Sequence, residues 1–281
     1  MRLKSKARRK ASDLSIKVFS TFSALLGIFF LGWILYVVIQ RGAAALNWNF
    51  FTQLPAPPGT PGGGLASAIL GTLYMTVIAG VVGVPTGMLA GVYLSEYGQR
   101  SRFGAWVRFT VNVMMGIPSI IMGLFIYTLM VVPFGHFSGY AGGMSLALLI
   151  LPIVARTTED MLTLVPNSMR ESALALGAPR WRVTLGIVFR AARVGLITGV
   201  LLAVARVSGE TAPLLFTSLN SPYWPKSLSQ PTSNLTVTIF NYAMSPYNDW
   251  QQAAWGASLL IMVGVLSMTV LARLTLTGKK S

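Results

Sequence analysis

Glu171-Ser-Ala-Leu-Ala-Leu-Gly177-Ala-Pro179-Arg-Trp-Arg182 interrupts a chain that is otherwise apolar over long stretches, and it reads as a joint between helices. Pro166, just upstream, suits a first helical turn, and Met169, Ala173 and Leu176 recur at i, i+4 and i+7, one small apolar face of a short helix. Gly177 can end that helix in the left-handed conformation, and Pro179 can open a second helix at once. The expectation is a capped helix, a glycine corner and a new helix running into the next apolar stretch. Together these make a rigid lever outside a bilayer. The plainer alternative is an amphipathic surface helix.

The surroundings of this joint fix the class of protein. Of the 281 residues, 53% are hydrophobic and 10% charged, whereas a soluble domain carries about a quarter charged residues. This is the composition of an integral membrane protein. There is no cysteine, so disulfides, thiolate nucleophiles and cysteine metal sites are excluded, and a single histidine, His136, cannot build a histidine-rich one. The net charge of +15 alone would suit nucleic acid, but its placement says otherwise.

Six apolar segments approach the ~20 residues a bilayer core requires: Val18–Ile39, Leu65–Leu94, Phe109–Val132, Gly142–Ala155, Val194–Phe216 and Ala253–Leu271. The second is long and holds Pro85, so it kinks or runs past the bilayer. The fourth is short and interrupted by Pro152. It either begins earlier, after Pro133, or continues beyond Arg156. Seven Lys or Arg precede the first span, three follow the second, six lie between the fourth and fifth, and three close the chain. Thus 19 of 22 fall on one side of a six-span arrangement, and the positive-inside rule makes that side, with both termini, cytoplasmic. The basic excess is a topology signal, with no nucleic acid implied. The expected organisation is a basic cytoplasmic tail (1–17), a first transmembrane helix (18–39) and a Pro/Gly-rich external loop (40–64). A five-helix core (65–275) with a coupling loop at 156–193 follows, then a short cytoplasmic tail (276–281). The basic start and apolar run also mimic a signal peptide, with Ala43-Ala44-Ala45 as a cleavage site. Its apolar part exceeds the ~7–15 residues of such signals, which favours a retained span.

Asn47 to Gly64 is too rich in Pro and Gly for helix, and it separates a lone first helix from the core. Leu219 to Gln252 carries Tyr223, Trp224, Tyr242, Tyr247 and Trp250, either a membrane-interface belt or a docking face for an external protein. Gly83, Gly87 and Gly91 share one face of the second span and allow another helix to approach closely. No Gly-x-x-x-x-Gly-Lys-Ser/Thr run exists to cradle ATP phosphates, and no acid/base constellation marks an enzyme.

Arg206 and Glu210 fall inside the fifth apolar segment. Counted from Val194 at ~1.5 Å per residue they lie about 18 Å and 24 Å deep, where an ionised group costs ~2.5–3.5 kcal/mol. Spaced i, i+4, they share a helix face and can pair. A buried pair is a poor stabiliser, so a transport-pathway role is preferred over a structural one. Arg156 with Glu159 and Asp160 forms a second cluster, read equally as function or as a solvated interfacial network.

The joint at Glu171, Ala173 and Gly177 resembles the "EAA loop" with which ABC-importer permeases dock their ATPase, with Ser172 in place of the first alanine. Ile153-Val-Ala-Arg-Thr-Thr-Glu-Asp160, Ala205-Arg-Val-Ser-Gly-Glu-Thr-Ala-Pro-Leu-Leu-Phe-Thr217 and Leu235-Thr-Val-Thr-Ile-Phe-Asn-Tyr-Ala-Met-Ser-Pro246 narrow the likeness. They resemble the A-type permeases of phosphate-specific ABC transporters (PstA), as do Gly62-Gly-Gly-Leu65 and Pro118-Ser-Ile-Ile-Met-Gly-Leu-Phe125. The resemblance implies an all-α type I importer permease with six transmembrane helices and a cytoplasmic coupling helix. It places the chain as a multi-pass protein of the bacterial inner membrane, in an ATP-driven inorganic phosphate importer. The partners implied are a second permease (PstC type), two ATP-binding subunits (PstB type) and a phosphate-binding protein (PstS type). No cofactor belongs to this chain, ATP and Mg being bound by the partner ATPase. Arg156, Glu159 and Arg206 stand where the family places charged residues important for phosphate uptake, so these and Glu210 are the translocation-path candidates. An arginine suits any oxyanion, however. Rival readings are a sulfate or molybdate permease, a stand-alone secondary anion transporter, for which the Gly177 corner has no purpose, and a non-transporting scaffold.

Overall fold

The computed structural model describes residues 6–277, with side-chain surroundings for 10–274. The first residues of the basic tail, Arg2 and Lys4 among them, and residues 278–281 lie outside the described residues. Helix α1 (Lys6–Ala43) stands apart: most of its apolar side chains are exposed, and it packs against α13 (Asn248–Thr277), where Arg41 lies 5.3 Å over the Trp255 ring.

The segment after α1 is not loop throughout. Trp48–Thr52 forms a short helix, α2, ahead of the first proline. Asn47 caps it by accepting the Phe50 N–H at 2.8 Å, and Phe50, 3% exposed, anchors it in the core. The Pro/Gly run then turns back on itself, with the Gly64 N–H donating to the Leu54 carbonyl at 2.9 Å.

Helix α3 (Ala66–Val92) carries Pro85 internally and continues through a π turn, Tyr93–Tyr97, so the second span does run past its apolar stretch. It lies against α7 (Gly139–Thr163) along the glycine stripe. A Cβ on Gly83, Gly87 or Gly91 would meet the carbonyl oxygens of Ala147, Leu151 or Ala155 at 2.7, 2.7 and 2.5 Å. Backbone against backbone at this distance admits no side chain. The central core fills in around this seam, with Met75, Ala79, Ile150, Val154, Ala203 and Val207 all buried. Helix α7 shows that the short fourth apolar segment extends in both directions, with Pro152 inside it.

The expected continuous span over 109–132 is broken. α4 (Arg102–Gly116) and α5 (Ser119–Ile126) meet at a bend of 106°, and α5 leads through a π turn (Tyr127–Val131) into α6 (Val132–Phe134). Pro118 has no N–H to donate and drives Ile117 into extended backbone, φ −76° and ψ 130°. The pair still makes one traverse, with α7 as the ruler. Twenty-five residues span about 37 Å. At one end the Gly139 N–H donates to the Gln230 carbonyl, and at the other the Leu162 carbonyl accepts from Arg170, which also binds Glu96. The chain enters α4 soon after Glu96 and leaves α6 at Gly135, just before α7 begins, so it passes from one end of the bundle to the other. With the five long apolar helices this makes six traverses among the described residues.

The fifth of these runs from Arg180 to Val207 as α9 (Arg180–Val183), a π turn (Thr184–Val188) and α10 (Phe189–Val207). It stops well short of Phe216. Ser208 and Gly209 are poor helix formers, and α11 (Ala212–Leu215) starts afresh with Pro213 in its first turn. Between α11 and α13 lies α12 (Leu235–Ala243), capped by Asn234. Tyr242 stacks on Trp250 at 4.3 Å, and the Trp250 indole N–H donates to the Ala56 carbonyl at 3.3 Å. Trp250 therefore ties the Pro/Gly loop to the core, with Tyr242 stacked against it. Tyr223 and Trp224 remain exposed.

Candidate translocation and coupling sites

The α4–α5 break, the second half of α7 and the end of α10 converge on a cavity of about 390 Å³. Met114, Ile117 and Ser119 bring the break to its wall, Pro152 and Arg156 bring α7, and Arg206 and Glu210 bring the end of α10 and the turn beyond it. Three of the four path candidates thus face one space. Glu159 does not line it but lies one turn behind Arg156 on α7.

The expected i, i+4 pairing of Arg206 with Glu210 is not formed. Helix α10 ends at Val207, so Glu210 lies in a turn, its N–H on the Val207 carbonyl at 3.1 Å and its own carbonyl accepting the Thr236 hydroxyl at 2.8 Å. The depth of about 24 Å obtained by continuing the helix does not apply to it. Among the described residues no carboxylate pairs with Arg206. Its cation sits in the last turn of α10, where the helix dipole favours it. The opposite polarity comes from α5, whose first turn begins at the cavity wall with no side-chain cap on its free N–H groups. Two guanidinium groups, one carboxylate and an uncapped helix start make a space suited to an oxyanion.

Arg156 does pair with both acids expected of it, Glu159 at 3.6 Å and Asp160 at 3.2 Å. The cluster has a fourth member that the sequence did not single out: Arg108 of α4 donates Nε to Glu159 Oε1 at 2.8 Å, with its Nη2 2.7 Å from the same oxygen. Glu159 is 7% exposed and ties α4 to α7.

The candidate coupling corner is separate. α8 (Asn167–Ala175) starts after Pro166 and ends in a paired glycine cap: the Ala178 N–H reaches the Ala173 carbonyl at 3.2 Å, and the Gly177 N–H reaches that of Leu174 at 2.9 Å. Gly177 is left-handed, φ +83°, and α9 starts directly after Pro179. The expected single apolar face does not form. Ala173 is buried, but Leu176, beyond the end of the helix, is 88% exposed, and Trp181 and Leu185 just past the corner are exposed too. Glu171 is exposed. What holds α8 in place is Arg170, which pairs with Glu96 at 2.9 Å and donates to the Leu162 and Val165 carbonyls. Neither Arg170 nor Glu96 stood out in the sequence.

Residues 83–276 match the family described as binding-protein-dependent transport system inner membrane component. The phosphate transport system permease protein PstA of Yersinia pestis is 47% identical over 99% of this chain and 95% of its own length. The PstA of Haemophilus influenzae is 46% identical over 97% and 96%. Among solved structures, a chain of the inward-facing MetNI methionine ABC transporter superposes with a TM-score of 0.65 at 20% identity, covering 76% of this chain and 95% of that one. A chain of a bacterial alginate ABC transporter gives 0.65 at 14% identity over 96% of each. At these identities the structures speak for the fold, and the sequence relatives for the family. This chain belongs to the PstA family of phosphate transport system permeases.

Proposed function

We propose that this chain is a permease subunit of an ATP-driven inorganic phosphate importer, forming the path with a second permease of the PstC type. The observation that carries the reading is the cavity at the α4–α5 break, where Arg156 and Arg206 face a common space beside the uncapped start of α5. A phosphate carrying one or two negative charges is drawn to paired guanidinium groups, and Glu210 on the same wall limits how tightly it is held, so that it can leave. The near full-length likeness to phosphate permeases favours phosphate over sulfate or molybdate. The glycine-capped corner favours an ATP-coupled machine over a stand-alone secondary transporter, which has no use for it. The chain lacks an ATP-phosphate loop, so two PstB-type subunits hold ATP and Mg and dock on Glu171, Ala173 and the Gly177 corner. A PstS-type protein delivers phosphate from outside. The membrane is the cell's inner membrane, with both termini in the cytoplasm.

The test is reconstitution of the chain with these partners in proteoliposomes loaded with ATP. Uptake of phosphate that requires both ATP and loaded binding protein is expected. Uptake of sulfate in its place, or phosphate uptake by the chain without an ATPase, would overturn the reading.

A further inference from the structure

Glu159 is buried, and its two oxygens are treated unequally. Oε1 takes a hydrogen bond from Arg108 Nε at 2.8 Å and has Nη2 of the same guanidinium 2.7 Å away, while Oε2, also buried, has no hydrogen-bond partner. Arg156 Nη1 lies 3.6 Å from Oε2, an ion-pair distance beyond hydrogen-bond range. Arg156 also faces the cavity. Its other acid, Asp160, is half exposed and therefore screened by solvent. The guanidinium thus lies between a buried carboxylate that it does not quite bind and a space where an anion can meet it.

We propose that Arg108 is a positioning residue for the transported anion: by satisfying Glu159 it keeps the Arg156 guanidinium available to the cavity. Without Arg108, Glu159 is a buried carboxylate lacking its main partner, and the donor at hand is Arg156, one turn away on α7. A shift of less than about 1 Å closes that contact into a charge-assisted hydrogen bond. Arg156 then turns toward Glu159, and its charge is largely cancelled from the cavity side. Arg108 touches no substrate and lies off the cavity wall, so its effect falls on anion affinity through Arg156 and leaves the ATP-driven cycle itself intact.

The inference rests on the phosphate-import reading, and its test is a comparison within the assembled transporter. Arg108→Gln should raise the KM for phosphate about tenfold while Vmax stays within about twofold. Arg108→Lys, which keeps the charge but loses the fork, should fall between. The double variant Arg108→Gln with Glu159→Gln removes the carboxylate that captures Arg156, and its KM should lie within about threefold of that of Glu159→Gln alone. If Arg108 merely ties α4 to α7, the double variant is as impaired as the single one. An unchanged KM in the single variant, or no recovery or no assembly in the double, would overturn the proposal. Should Arg108→Gln fail to assemble, a KM in the double that matches Glu159→Gln alone still supports it. A parent complex that moves a different oxyanion sinks the phosphate reading alone, because the same comparison then runs with that anion.

Discussion

Arg206 and Arg170 are both arginines in an apolar bundle, yet their surroundings assign them opposite consequences. Arg206 ends a helix, is exposed to the cavity and has no acidic partner among the described residues. Arg206→Gln therefore strands no carboxylate and lowers the cost of insertion. Membrane abundance should match the parent while phosphate uptake falls at least tenfold, measured side by side in the same cells. Adding Glu210→Gln should not restore uptake, because no pair exists to be rebalanced; recovery there would return Arg206 to a scaffold role. Arg170 is the reverse case: it and Glu96 are nearly buried, with side chains 15% and 11% exposed. Arg170→Ala leaves Glu96 unpaired and should cost about 3 kcal/mol, visible as a lower unfolding temperature in detergent. A parental melting curve would contradict this. The sequence offered Arg206 readily, since a charge inside an apolar run is conspicuous. It concealed Arg108 and Arg170, which looked like ordinary inside-positive charges because their partners lie 51 and 74 residues away.

At the scale of the helix, local chemistry was legible where it acts locally. The Gly177 corner, the packing stripe at Gly83, Gly87 and Gly91 and the lone α1 follow from residue type and spacing. Helix ends inside apolar runs were not, because hydropathy is blind to Pro118, Ser208 and Gly209, all of which break helices without changing the polarity of their surroundings much. For the same reason Glu210 was placed on a helix it does not belong to. The corner itself yields a graded test. Apart from its chain neighbours, no atom of the described residues lies within 4 Å of a Cβ built on Gly177, so the left-handed dihedral is what a side chain strains. Asn tolerates that conformation and Val does not, at about 1–2 kcal/mol of difference. Phosphate-driven ATPase coupling should therefore fall in the order Gly177, Gly177→Asn, Gly177→Val, with the spans still inserted. Equal loss in both variants would mean that the ATPase surface, and not the backbone turn, sets the requirement.

For the whole molecule, charge census and geometry give independent routes to the same arrangement. The sequence puts 156–193 with the positive, inner side and 220–252 outside. The structure contains no membrane, yet it fixes which segments sit at the same end of the bundle. Gln230 meets the start of α7, and Arg170 meets its last turns, about 37 Å away along the helix axis, enough to span a bilayer core. Whichever end faces out, positions 175 and 230 must then lie on opposite sides, and both are exposed. The chain has no cysteine, so Ala175→Cys and Gln230→Cys each give a single thiol for a membrane-impermeant reagent. Labelling of 230 alone in intact cells, with 175 reacting only after lysis, is expected. Labelling of both from outside would break the geometric argument. Labelling of 175 alone would leave the fold standing but invert it in the membrane, placing the α8 corner where no cytoplasmic ATPase could reach it.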